Sequence, residues 1–200
     1  MKPLFLSFAL LAGLSPAVAQ DFTDRMVVGT FDHATSINLP PWVSEAAPLN
    51  FESYEELAPT STGEVYLMEA IPKGESFNNW SELYALFAQT GVSGTAELYA
   101  DQTLGDFSRA CAELGMFKSP DNTASKAQIM IYCGKYNDNP SQGEVAFFNI
   151  QVVDGMLLKN YYHIRTEAFE VSGSNPMSPL SDAEIQKGFA QVAVLEAYPR

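Results

Sequence analysis

The chain has 200 residues and carries 24 Asp plus Glu against 11 Lys plus Arg, a formal charge of −13. A surface this acidic repels phosphate backbones and anionic membrane surfaces, which argues against nucleic acid and lipid headgroups as partners and leaves a cationic partner open. The length suits one well-buried domain and is short for two.

The first residues, MKPLFLSFALLAGLSPAVAQ, combine one cation at Lys2, an apolar run from Leu4 to Leu14, a Ser-Pro break and Ala17-Val18-Ala19. That is the layout of a secretory signal over residues 1–19, with an apolar core too short to span a bilayer. Cleavage would remove Lys2 and leave a mature chain of formal charge −14 from Gln20, with no later stretch apolar enough for an integral membrane segment. The expected location is periplasmic or secreted.

Residues 20–62 read as an irregular lead-in. MVVGTF is a short strand candidate, Pro40-Pro41 forbid a central strand or helix interior, and a loop rich in Glu, Pro, Ser and Thr follows. A single α+β domain is expected over 63–200, with the lead-in packed on it. GEVYLMEAI suits a strand buried on both faces and ended by Pro72-Lys73-Gly74. After the polar cluster at Ser76 to Asn79, Trp80, Leu83, Tyr84 and Phe87 fit a helix face, while Leu83 to Gln89 also fits a strand after one helical turn. Trp80 itself reads better as a core wedge than as a ligand platform.

Thr95 to Leu114 is the clearest long helix, capped by Ser93 or Thr95 and closed by Gly115. AQIMIYCGKY and EVAFFNIQVV are strands, and Asp154-Gly155 is a two-residue hairpin signal leading into a third, MLLKNYYHIRTEAFEV. One face of that third strand takes Leu158, Tyr162, Ile164 and Ala168, and the other Lys159, Tyr161, His163, Arg165 and Glu167. Such alternation suits an antiparallel sheet covered on one side. Ser181-Asp182-Ala183-Glu184 is a capping box, with Leu180 and Ile185 as its hydrophobic staple, and it opens a terminal helix. Together these elements predict an α+β domain with helices packed on an antiparallel sheet.

Cys111 and Cys133 are the only cysteines, and an even count in an exported protein suggests one bridge. Cys111 lies on the apolar stripe Ala100, Leu104, Phe107, Cys111, Leu114, and Cys133 on the alternating face Ile129, Ile131, Cys133. Both thus point at a core that helix and sheet would share. Without Cys-x-x-Cys spacing, a redox-active pair is the weaker reading.

The order LPPW, IPKGES, NNWSEL, a Cys-bearing helix, IYCGK, then NPSQGE before two hairpin strands resembles a family of uncharacterised exported bacterial proteins. The pieces that carry the resemblance are Pro72-Lys73-Gly74-Glu75 with Asn79-Trp80, and Cys133-Gly134-Lys135 with Asn139-Pro140 and Gly143-Glu144. It implies a PsbP-like α/β/α sandwich, in which a twisted antiparallel sheet is flanked by helices. It also implies a strand after the tryptophan and two cysteines that pair. It implies no reaction, and fold alone would not supply one.

Only two histidines are present, so sites built on imidazole are quickly surveyed. Asp32-His33 is an adjacent pair in an expected loop, and His163 lies among the cations of its strand. Neither histidine has a partner at zinc-ligand spacing, so no metal or cofactor is expected. Asn137-Asp138-Asn139 precedes a proline and lacks the closing Glu of a calcium loop, which makes it a turn. Glu69, in an otherwise apolar run, belongs at an edge or against a Lys or Arg of the hairpin, because an unpaired buried charge is too costly. The strip Lys159, Tyr161, His163, Arg165 is the candidate binding face, for a small anionic ligand or an acidic segment of an envelope protein.

Two readings therefore stand. One is a non-enzymatic binding or accessory module of the cell envelope, with no catalytic residues. The other is a hydrolase using Glu69 or His163 in a cleft. Gathering two or more of Glu69, His33, His163 and Arg165 around one concavity would favour the second.

Overall fold

The computed structural model describes residues 24–171 and 178–200. The expected signal segment lies outside them. In chain order the elements are β1 (Arg25–Thr30), β2 (His33–Asn38), β3 (Phe51–Pro59), β4 (Glu64–Pro72), β5 (Glu82–Gln89), α1 (Ala96–Ala110), β6 (Cys111–Lys118), β7 (Lys126–Tyr136), β8 (Gln142–Val153), β9 (Met156–Glu167), α2 (Asp182–Val192) and β10 (Leu195–Pro199). Seven strands form one antiparallel sheet in the order β3-β4-β5-β9-β8-β7-β6, and β1-β2-β10 form a second. The fold is α+β, with helices flanking an antiparallel sheet.

The large sheet is covered on both faces. On one, Ala96 and Ala100 of α1 meet Ile129 and Ile131 of β7 and Ala146, Phe148 and Ile150 of β8. On the other, Tyr84, Val145, Phe147 and Leu158 pack against Ile185, Phe189 and Val192 of α2 and against Ile37 and Leu195 of the small sheet. With two such layers, β8 is buried at eight consecutive positions, Gly143 to Ile150. Buried asparagines tie the second layer down. Asn149 donates to the carbonyls of Val192 (2.9 Å) and Ala193, and Asn160 to that of Val194, which satisfies acceptors orphaned at the end of α2.

Several predicted elements stand as expected. Ser181 and Glu184 form a reciprocal capping box at α2. Asp154 and Gly155 take positive φ (50° and 75°) in the β8–β9 hairpin, as a type I′ turn requires. Cys111 and Cys133 are bonded, with their Cα atoms 5.5 Å apart.

Five expectations are corrected. The helix ends at Ala110, and Cys111 opens β6 in an extended conformation. A register shift between Cys111 and Leu114 in the β6–β7 ladder sets two residues three apart facing the same side, which imitates helical spacing. Gly115, expected to close the helix, lies inside β6. No helical turn precedes β5; Ser76 and Asn79 close a tight turn on each other instead.

Within the lead-in, β3 is a nine-residue strand where a loop was expected. It lies at the sheet edge with polar side chains exposed on both faces, so it shows no alternation to read. Finally, the strip from Lys159 to Arg165 does not face solvent, because α1 and the loop bearing Trp80 reach over it and leave all four residues half-buried.

Candidate functional site

α1 lies over β6, β7 and β8, and its near edge ends above β9. Thr103, Asp106 and Phe107, one helical turn of that edge, wall a cavity of about 330 Å³ whose floor is Glu69 of β4 and Lys159, Tyr161 and His163 of β9. The floor has room because Ala85 separates Glu69 from Tyr161 in register and fills little of the gap.

Glu69 accepts a long hydrogen bond from the Tyr161 hydroxyl (3.4 Å). Among the described residues no Lys or Arg approaches its carboxylate to ion-pair distance. The expected pairing with a hairpin cation is therefore replaced by a tyrosine. Burial pushes the Glu69 carboxyl above its ordinary value, while the Tyr161 bond and the nearby His163 pull the other way. Burial also drives the Tyr161 hydroxyl far up, with Glu69 adding to the effect. Lys159 is pulled below its ordinary value by burial, against the pull of Asp106, and its Nζ stands 4.7 Å over the Phe87 ring.

His163 is held from behind. Its Nδ1 lies 2.5 Å from Oε1 of Glu144, an ion-pair contact set off line from a straight hydrogen bond, and Oε2 of Glu144 accepts from the Tyr136 hydroxyl. The two side chains are only 14% and 5% exposed. Tyr161 (ring centroids 5.0 Å apart), Phe148 (5.3 Å) and Phe107 (5.8 Å) enclose the imidazole. Its buried Nε2 has no partner among the described residues.

Two residues further along β9, Arg165 enters a second, more open cavity of about 590 Å³. Its guanidinium stacks 4.0 Å over the ring of Trp80, which walls both cavities. Ser76, Asn79, Ser141, Gln142 and Thr166 line this second space with hydroxyl and amide groups. Two carboxylates, Glu75 and Glu167, also line it, and the oxygens of Glu75 accept from the amide (2.7 Å) and hydroxyl (2.6 Å) of Ser81. Arg165 has no carboxylate at ion-pair distance, and its buried Nε no partner, among the described residues.

Of the candidate site residues, then, Glu69, Lys159, Tyr161 and His163 share the smaller cavity and Arg165 faces the larger. His33 stands apart on the small sheet, its Nδ1 bonded to Asp32 at 2.6 Å. Among the described residues no group of His, Cys, Asp and Glu is placed to hold a metal.

Sequence reasoning overlooked Glu144, whose signal was available as a carboxylate inside an apolar strand, the pattern that drew notice at Glu69. It also favoured the wedge reading of Trp80 over the platform. The indole does pack on Ile71, Leu83 and Ala85, yet it carries Arg165 on its ring as well. No family model, no curated protein and no solved structure matches the chain.

Proposed function

We propose that the protein is an exported, non-enzymatic module that binds a small anionic ligand, with Arg165 as the anchor. The observation that supports this most is Arg165 itself: a cation on an acidic chain, oriented by Trp80, without a carboxylate at ion-pair distance among the described residues, in a cavity lined by hydroxyl and amide groups as well as by Glu75 and Glu167. An arginine plane set in this way presents donors in the fork that a carboxylate or phosphate matches. Export rests on the N-terminal layout, and the Cys111–Cys133 bridge suits an oxidising compartment. Kinship with the exported PsbP-like family rests on the motifs named above and belongs to the same proposal.

The test uses Trp80 as reporter in a protein carrying Trp42→Phe. Titration with acetate, N-acetylglycine, glucuronate and phosphate at millimolar levels should give a saturable fluorescence change for at least one carboxylate or phosphate. Arg165→Met should abolish it. No saturation with any of the four, or equal binding by the Met variant, would overturn the proposal.

A second reading, hydrolysis, meets the condition set out from the sequence, because two of the four named residues, Glu69 and His163, share one cavity. Its support is a carboxyl raised by burial beside a carboxylate-backed imidazole, the pairing that general acid–base work on a bound water requires. Turnover of simple esters or amides lost in both Glu69→Gln and His163→Gln would promote it over binding.

A further inference from the structure

We infer that the ligand is zwitterionic and extended, a short peptide whose carboxylate sits on Arg165 and whose ammonium sits on Glu69. The inference rests on the anion-binding reading of Arg165 and goes beyond it in assigning the second cavity. Four observations lead to it.

First, the two cavities adjoin at Trp80 and share β9 as their floor, so a ligand lying along that strand enters both. Second, Arg165 in one cavity and Glu69 in the other are opposite in sign and neither has an ionic partner at bonding distance among the described residues, while Glu167 also borders the first cavity and Lys159 the second. Lys159 does not supply the missing partner of Glu69. Its ammonium is placed over Phe87, and the acidic group acting on it is Asp106.

Third, the spacing is that of a peptide. Glu69 lies two strand spacings, about 10 Å, across the sheet from Tyr161, and Arg165 lies four residues, about 13 Å, further along β9, which sets the two backbone positions about 16 Å apart. An extended tripeptide spans about 10 Å between its terminal groups, and the arginine and glutamate side chains close the remainder. Fourth, the path between the ends suits a peptide's middle. Trp80, Phe107 and Tyr161 offer apolar faces to side chains, while His163 Nε2, which lacks a protein partner among the described residues, can donate to a peptide carbonyl when the ring is protonated and accept from a peptide N–H when it is neutral.

An ammonium ligand also answers the energetics of Glu69. A half-buried carboxylate with only a tyrosine hydroxyl against it is poorly solvated, and a bound cation restores what burial removed.

The experiment compares trialanine, N-acetyl-trialanine and trialanine amide on the native protein, on Glu69→Gln and on Arg165→Met, by Trp80 fluorescence and by calorimetry. Trialanine should bind native protein about 10- to 100-fold more tightly than its acetylated form, the worth of one hydrogen-bonded charge. Glu69→Gln should remove that difference while leaving the acetylated peptide's affinity unchanged, and trialanine amide should bind as weakly as trialanine binds the Met variant. Equal, Arg165-dependent binding of free and acetylated peptide would overturn the zwitterion inference and leave anion binding standing. Failure of every peptide to bind, or binding indifferent to Arg165→Met, would overturn both.

Discussion

Glu69 sits half-buried on β4 with a tyrosine hydroxyl against its carboxylate, and its surroundings make it a liability for folding. Burial raises its carboxyl in the folded state, with Tyr161 and His163 only partly opposing. The other groups that face it are Lys159 on β9, Asp106 on α1 and Tyr54 on β3. An acid whose folded value is raised holds its proton more tightly folded than unfolded. The stability this contributes is complete below the unfolded value and is lost as pH rises through the folded one. At neutral pH, above the unfolded value, the folded state therefore carries the cost of burying this group. Glu69→Gln is expected to raise Tm at pH 7, and the gain should shrink steadily as the pH is lowered into the carboxylate range. Thermal unfolding of both proteins across that range reads it out, and a Gln variant less stable at pH 7 would contradict it. A gain in stability on removing the charge is the pattern expected of a residue kept for binding rather than for the fold. The same variant also keeps the peptide test clean, since lost binding in a protein at least as stable is not lost folding.

The elements around the site are held by the Cys111–Cys133 bridge. It joins the first residue of β6 to β7, and the Cys111 amide donates to the Phe107 carbonyl, so the last turn of α1 is pinned where Phe107 walls the smaller cavity. Replacing both cysteines by serine should remove about 3 kcal/mol in the chain-entropy account. For a chain of this size that lowers Tm by roughly 6–12 °C, measured by calorimetry on the oxidised parent and the variant. An unchanged Tm would mean that the bridge does not hold the native state. What the sequence made legible at this scale follows a physical rule. Strands with one apolar or two apolar faces, such as β4, β8 and β9, and a helix with a complete cap, such as α2, announce themselves. Where a bulge puts Cys111 and Leu114 on one side, the spacing of a strand counterfeits that of a helix. Where β3 is wet on both faces, no period exists. The candidate strip was legible as a shared face, because alternation assigns faces. Its burial was not, because alternation says nothing of which distant element, here α1 and the Trp80 loop, comes to cover it. Glu69 and Arg165 were each visible as residues, but the pairing of their cavities depends on β5 and β9 being neighbours, which no local pattern encodes.

At the scale of the whole molecule, the site is a small region of ordered charge in a strongly negative field. The formal charge is −13, and four of the ten Lys and Arg among the described residues pair with acids at ion-pair distance: Arg25 with Glu196, Lys118 with Glu97 and Asp101, Lys135 with Glu113, Arg109 with Asp106. A small anion approaching Arg165 must climb this field before it meets the short-range attraction of the guanidinium, whereas a zwitterion of no net charge does not. Salt screens the long-range field over about 8–10 Å and affects a contact made inside a cleft much less. The association rate of N-acetyl-trialanine, with one net negative charge, should therefore rise roughly two- to fivefold between low and physiological ionic strength. That of trialanine should stay nearly constant, and the dissociation rates of both should change little. Stopped-flow fluorescence of Trp80 separates the two rates. An association rate that falls with salt for the acetylated peptide would show that the local field at the mouth of the larger cavity is positive, and that Arg165 rather than the acidic surface dominates the approach.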